Sequence, residues 1–157
     1  MRDDGDDDGD FAAYLVARWV PVVRTLVMLG CPQPAAEDVA RCAFARLSST
    51  WGSVRDSEDV DVQAYAEVLH EWRRARTRRE RDDGRRDEPP AAAPRARLEA
   101  MLDRLTPDAR AMLLLRFVAD LSDAQVADVM ELSVTAVRET LTTGLEDMDL
   151  EALREAS

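Results

Sequence analysis

The chain has 157 residues, 32 acidic against 21 basic, and a formal net charge of −11. Apolar residues make up 46% and aromatics 5%, with six Gly and seven Pro. Such a chain can bury a modest core and favours helices; its length excludes a large enzyme scaffold, and its acidity argues against a non-specific nucleic-acid coat.

The charge is unevenly distributed. Residues 1–10 carry six Asp against one Arg, an acidic tail expected to be disordered. Residues 71–88 hold eight Arg against six acids, a basic segment inside an acidic protein. Its centre, Trp72–Arg79, has five Arg and no acid. That run is the place to look for a polyanion, with a solvated, frayed helix end as the plainer reading. Every basic residue is Arg, whose planar fork suits phosphate.

In chain order, Phe11, Leu15, Val22, Leu26 and Leu29 repeat at helical spacing and predict a helix over 11–29. Pro21 predicts a kink or a broken turn inside it. No apolar run is expected to span a membrane, and no cationic leader opens the sequence. A turn at Gly30–Pro34 leads to a helix over 35–51. There Val39, Phe44 and Leu47 face inward and Glu37, Asp38, Arg41 and Arg46 outward, and Gly52 and Ser53 end the helix. Asp56–Asp59 offers caps for a third helix carrying Val62, Tyr65, Val68, Leu69 and Trp72, which dissolves into the Arg run. Asp82-Asp83-Gly84, Pro89-Pro90 and Pro94 mark a linker over 82–95. The chain thus divides into helical domains at 11–81 and 96–157, an all-α fold.

The second domain is sharply punctuated. Thr106-Pro107 is an N-cap followed by Pro at the first helical position. Ser122 opens a short helix with Val126 and Val129. Ser133 opens a longer one with Val134, Val137, Leu141, Leu145 and Met148 on one face. Two such helices across a short turn make a helix-turn-helix, or else a merely well-capped bundle. The opposite face of the longer helix carries Thr135, Arg138, Glu139, Thr142 and Thr143. Arg138 suits a guanine edge or a phosphate, and the threonines suit phosphates or thymine methyls.

Signals for catalysis are weak. His70, the single histidine, lies beside Glu71 on a helix, a position more often structural or solvated than catalytic. No zinc spacing, phosphate-binding Gly loop or nucleophile elbow is found, and Cys31 and Cys42 make no metal or disulfide pattern. The reading is a reduced, cytoplasmic, non-enzymatic protein with no catalytic residue, metal or cofactor.

The order of these segments resembles the extracytoplasmic-function group of bacterial sigma-70 family factors, in its short actinobacterial form. Phe11–Leu29, Ala36-Glu37-Asp38-Val39 with Phe44-Ala45-Arg46, and Tyr65–Arg79 with Trp72-Arg73-Arg74 resemble sigma region 2. Leu105–Ala111, Leu114–Phe117, Leu121–Ala127 and Ser133–Arg138 resemble region 4 and its helix-turn-helix. The resemblance implies that Glu37, Asp38, Arg41 and Arg46 meet core RNA polymerase. It implies that Trp72 stacks on a base of the opened promoter strand, while Arg73, Arg74, Arg76, Arg78 and Arg79 track its backbone. Ser133, Thr135, Arg138, Thr142 and Thr143 would read duplex DNA, and an anti-sigma or other regulatory protein is a further partner.

The chain departs from the family pattern at several points. Ala40-Arg41 replaces Gln-Glu, and the stretch from Tyr65 to Trp72 looks short and lacks the customary Asn. Glu131 takes the place of a Gly in the turn of the helix-turn-helix. It either sits left-handed at a cost on the order of 1 kcal/mol or gives the turn another shape. Acids at Glu139, Glu146, Asp147, Asp149 and Glu151 stand where the family places bases, which weakens phosphate contact. Two other readings therefore remain: a diverged sigma-like protein that binds polymerase or a regulator without reading a promoter, and a helix-turn-helix regulator.

Overall fold

The computed structural model describes residues 4–82 and 93–155. These form eight helices, and no strand occurs among the described residues. The helices fall into two compact units that part between Asp82 and Asp83.

The first unit is built on α1 (Asp4–Met28), α2 (Gln33–Ser49), α3 (Trp51–Val54) and α4 (Val60–Asp82). α2 lies between α1 and α4 and packs most extensively on α4. Val22, Leu26, Ala36, Phe44, Leu47, Tyr65, Val68 and Leu69 fill the core, each at most 4% exposed. Their spacing of three and four residues gives each long helix one apolar stripe, and burying these stripes against each other drives the fold.

Several boundaries differ from the sequence expectation. α1 begins at Asp4, so the described part of the expected disordered tail is helical, with Gly5 and Asp8–Asp10 exposed. Acidic residues in a first turn complement the positive end of the helix dipole, and Asp10 Oδ2 accepts from Arg55 at 3.3 Å. The helix runs unbroken through Pro21, and Thr25 Oγ1 donates to the Pro21 carbonyl at 2.9 Å. It ends at Gly30, φ 103°, with Cys31 N donating to Leu26 O and Gly30 N to Val27 O. This is a left-handed cap, which glycine enters without strain. Gly52 and Ser53 do not end α2; they belong to α3, which carries Trp51 into the core against Phe11 and Tyr14, ring centroids 5.3 and 5.2 Å away. α4 does not dissolve into the Arg run but stays helical to Asp82. By length and composition Asp8–Met28 is apolar enough to cross a membrane, contrary to the sequence expectation. The arginines Arg18 and Arg24 mask this in the sequence. Its inner face, Val22, Val23 and Leu26, is core of the unit.

An ionic clasp joins α1 to α4. Asp61 accepts from Arg18 Nε (2.8 Å), Arg18 Nη2 (3.0 Å) and the Tyr14 hydroxyl (2.7 Å). Burial alone would raise the Asp61 carboxyl, but the bonds from Arg18 and Tyr14 outweigh it and hold the group below its ordinary range. Burial, reinforced by the same carboxylate, pushes the Tyr14 hydroxyl up.

The second unit contains α5 (Ala93–Asp103), α6 (Pro107–Phe117), α7 (Asp123–Met130) and α8 (Val134–Glu155). Residues 93–95 of the expected linker belong to α5, and Pro94 lies in its first turn, where a missing N–H costs nothing. Residues 83–92 of that linker lie outside the described residues. α6, α7 and α8 pack on one another around Ala111, Leu115, Val126 and Val137.

Candidate nucleic-acid interface

The helix-turn-helix is formed by α7 and α8. Ser122 caps α7 in a capping box: its Oγ accepts from Gln125 N (3.1 Å), and its own N–H donates to Gln125 Oε1 (2.9 Å). At the other end Glu131 takes φ 56°, ψ 42°. Leu132 N donates to Ala127 O at 2.9 Å and Glu131 N to Asp128 O at 3.3 Å. The left-handed turn that glycine usually supplies is therefore kept, with a glutamate in it. Ser133 Oγ then accepts from Ala136 N at 3.1 Å and starts α8.

α8 buries Val137 and Leu141 and leaves Ser133, Thr135, Arg138, Glu139, Thr142 and Thr143 exposed, as the residue spacing predicts. Leu145, expected inward, is 42% exposed. One turn below Leu141 the inward position belongs to Gly144. A Cβ there would lie 3.3 Å from Leu113 Cδ1 and 3.7 Å from Leu105 Cδ2, so the missing side chain lets α8 approach α6. Beyond it the exposed Glu146, Asp147 and Asp149 make this end of α8 acidic.

Arg138 does not stand alone. Its Nε donates to Asp123 Oδ2 at 3.1 Å, and Arg116 Nε donates to Asp123 Oδ1, also at 3.1 Å. Asp123, in the first turn of α7, thus joins α6, α7 and α8. The sequence contains no periodic signal for this, since the partners lie 7 and 15 positions away.

The second basic surface is the end of α4. Arg73, Arg74, Arg76, Arg78 and Arg79 are all exposed and distributed around the helix, so this end carries cation on every side. Arg76 donates to Glu80 at 3.1 Å, and Arg74 lies 3.6 Å from Glu71. Trp72 corrects the sequence expectation. It is 5% exposed, the last buried side chain before the Arg run, and its ring belongs to the core rather than to a base. Arg76 covers that ring at 5.6 Å. An indole at helical spacing from Val68 and Leu69 falls on the apolar stripe, and that spacing is the signal that marks it as core.

On α2, Asp38 and Arg41 are exposed and Glu37 is half-buried; Arg41 bonds both carboxylates along the helix. Arg46 instead reaches across to α4, to Glu67 at 3.0 Å and to the buried Glu71 at 3.3 Å. The structure therefore gives Arg46 an internal role in pairing α2 with α4.

Residues 95–148 match the family model for sigma-70, region 4. No curated protein sequence matches the chain. Among solved structures, it is similar to CnrH in complex with the cytosolic domain of CnrY. The TM-score is 0.69 at 21% identity, over 94% of this chain and 88% of that one. It is also similar to the anti-anti-sigma factor PhyR complexed with the anti-sigma factor NepR from Bartonella quintana. There the TM-score is 0.61 at 14% identity, over 89% of this chain and about half (49%) of that one. At such identities the likeness is one of fold. The region 4 match covers about a third of the chain, the part that holds the helix-turn-helix.

Proposed function

We propose that this protein is a sigma factor that binds core RNA polymerase and directs transcription initiation at promoters, in the cytoplasm. The observation that carries the reading is the outward face of α8, where Thr135, Arg138, Thr142 and Thr143 stand exposed inside the stretch that matches region 4. A recognition helix so exposed can enter a major groove. The α4 end supports a second contact: its arginines suit the backbone of an opened strand, with no base stacking from the buried Trp72. Glu37, Asp38 and Arg41 on α2 are the proposed polymerase contact, Arg46 being engaged with Glu67 and Glu71. No chemistry is required of the chain itself, because the polymerase forms the bonds. Both similar solved structures are complexes with a second protein, which supports a regulatory protein as a further partner.

A second reading is favoured by the acids on α8. Carboxylates near phosphates repel and forfeit counterion release, so a sigma-like protein that binds polymerase or a regulator without reading DNA has a specific observation behind it. Reconstitution with the cognate core polymerase separates the two. Co-purification with promoter-dependent transcripts is the expected result. Co-purification without transcripts selects the second reading, and no association overturns the first reading and leaves of the second only binding to a regulator.

A further inference from the structure

The clasp at Asp123 has a geometry that bears on how α8 would read a base. Arg138 is held through Nε, at 3.1 Å from Asp123 Oδ2. A guanidinium can meet guanine O6 and N7 end-on, through its two terminal nitrogens. The bond to Asp123 therefore leaves that fork for DNA while fixing the plane in which it lies. The Arg138 side chain is 67% exposed, against 30% for Asp123 and 36% for Arg116. The anchor is thus set back and the fork is outermost. Arg116 takes the other carboxylate oxygen, so the three groups together carry a net single positive charge. A lone aspartate beside a recognition helix would repel phosphate; this one is neutralised from the side away from Arg138.

We propose that Asp123 is a positioning residue for sequence reading: it orders Arg138 so that α8 presents a bidentate fork to a guanine in the major groove. An exposed arginine otherwise loses rotamer freedom on binding, and a fork ordered beforehand loses less. Arg138 makes the contact and Asp123 acts through it. The proposal rests on the reading of the protein as a promoter-binding sigma factor, and Asp123 lies on a different helix from the face that the spacing of α8 exposes.

The test is selection from a random duplex pool by holoenzyme reconstituted with the full chain, wild type or variant. The wild type should enrich sequences with one strongly preferred G·C pair that disappears in Arg138→Ala. Asp123→Ala should reduce discrimination at that same pair from about tenfold to about twofold, and leave preference elsewhere and the slope of binding against salt unchanged. Adding Asp123→Ala to Arg138→Ala should have no further effect on the selected sequences. Arg116→Ala controls for a purely structural role, because it removes a bond of the clasp without touching Arg138. A uniform loss at all positions, equal in Asp123→Ala and Arg116→Ala and matched by a lower melting temperature, overturns the proposal. So does tighter binding of Asp123→Ala to every sequence, which would mean that Asp123 screens Arg138. Unaltered selection by Asp123→Ala overturns the proposal alone. A wild type that enriches no sequence overturns the promoter-binding reading and the proposal with it.

Discussion

Glu131 shows how one side chain sets a local cost within a sound motif. The turn of the helix-turn-helix needs a left-handed residue, and both of its capping hydrogen bonds are made around a glutamate at φ 56°. A β-carbon in that region is strained by about 1 kcal/mol, and glycine is not, although glycine loses more backbone freedom on folding. Glu131→Gly should therefore raise stability by about 0.5–1 kcal/mol, read as a higher denaturant midpoint with unchanged slope. Asp61 is the opposite case, a residue whose charge stabilises. Its folded carboxyl is held below the ordinary range, so its contribution is complete above the unfolded value of about 4 and is lost as pH falls through the folded value. Asp61→Asn should cost about 1–2 kcal/mol at pH 7, the lower part of the range for charged hydrogen bonds because Arg18 is 39% exposed. The difference from wild type should shrink as denaturation is repeated at pH values falling through the folded value. A cost that does not change with pH would place the effect in packing.

At the scale of the element, apolar spacing locates the long helices because each presents one buried stripe. Spacing does not say where each helix stops. α4 continues through the Arg run since nothing in residues 73–82 breaks a helix and Arg76–Glu80 pairs one turn apart. The consequence is a basic end that stays helical to Asp82. Arg74, Arg78 and Arg79, changed together to Ala, should leave the fold intact, as all three are exposed. In holoenzyme bound to a promoter, the salt dependence should flatten by about 2 in the log–log slope, since each single-strand phosphate left without its arginine removes about 0.7. An unchanged slope would remove α4 from the DNA interface. α3 has no counterpart in the sequence pattern. A helix of four residues has no period to detect, and only the aromatic packing of Trp51 on Phe11 and Tyr14 gives it a reason.

At the scale of the whole molecule, the net charge of −11 divides into regions with different uses. The basic end of α4 belongs to the first unit, and the acid-rich end of α8 to the second. This division is fully legible in the sequence, as charge needs no fold to be counted. So are the all-helical class, the Thr106 and Ser122 caps and the exposed face of α8, because caps and periods are local. The candidate site is legible only in part. Arg138, Thr135, Thr142 and Thr143 follow from spacing on one helix, as does the place of Trp72 on the apolar stripe of another, whereas the diversion of Arg46 to Glu67 and Glu71 and the clasp on Asp123 depend on a second helix arriving at a given height and angle. By itself the sequence determined where the long helices run, which stripes are apolar and where the cations lie, since backbone propensity and hydrophobic period act within a few residues. Only the tertiary structure decided which charged side chains are spent on one another and which remain for a partner, because an ion pair across helices is set by distances between residues that the chain keeps far apart.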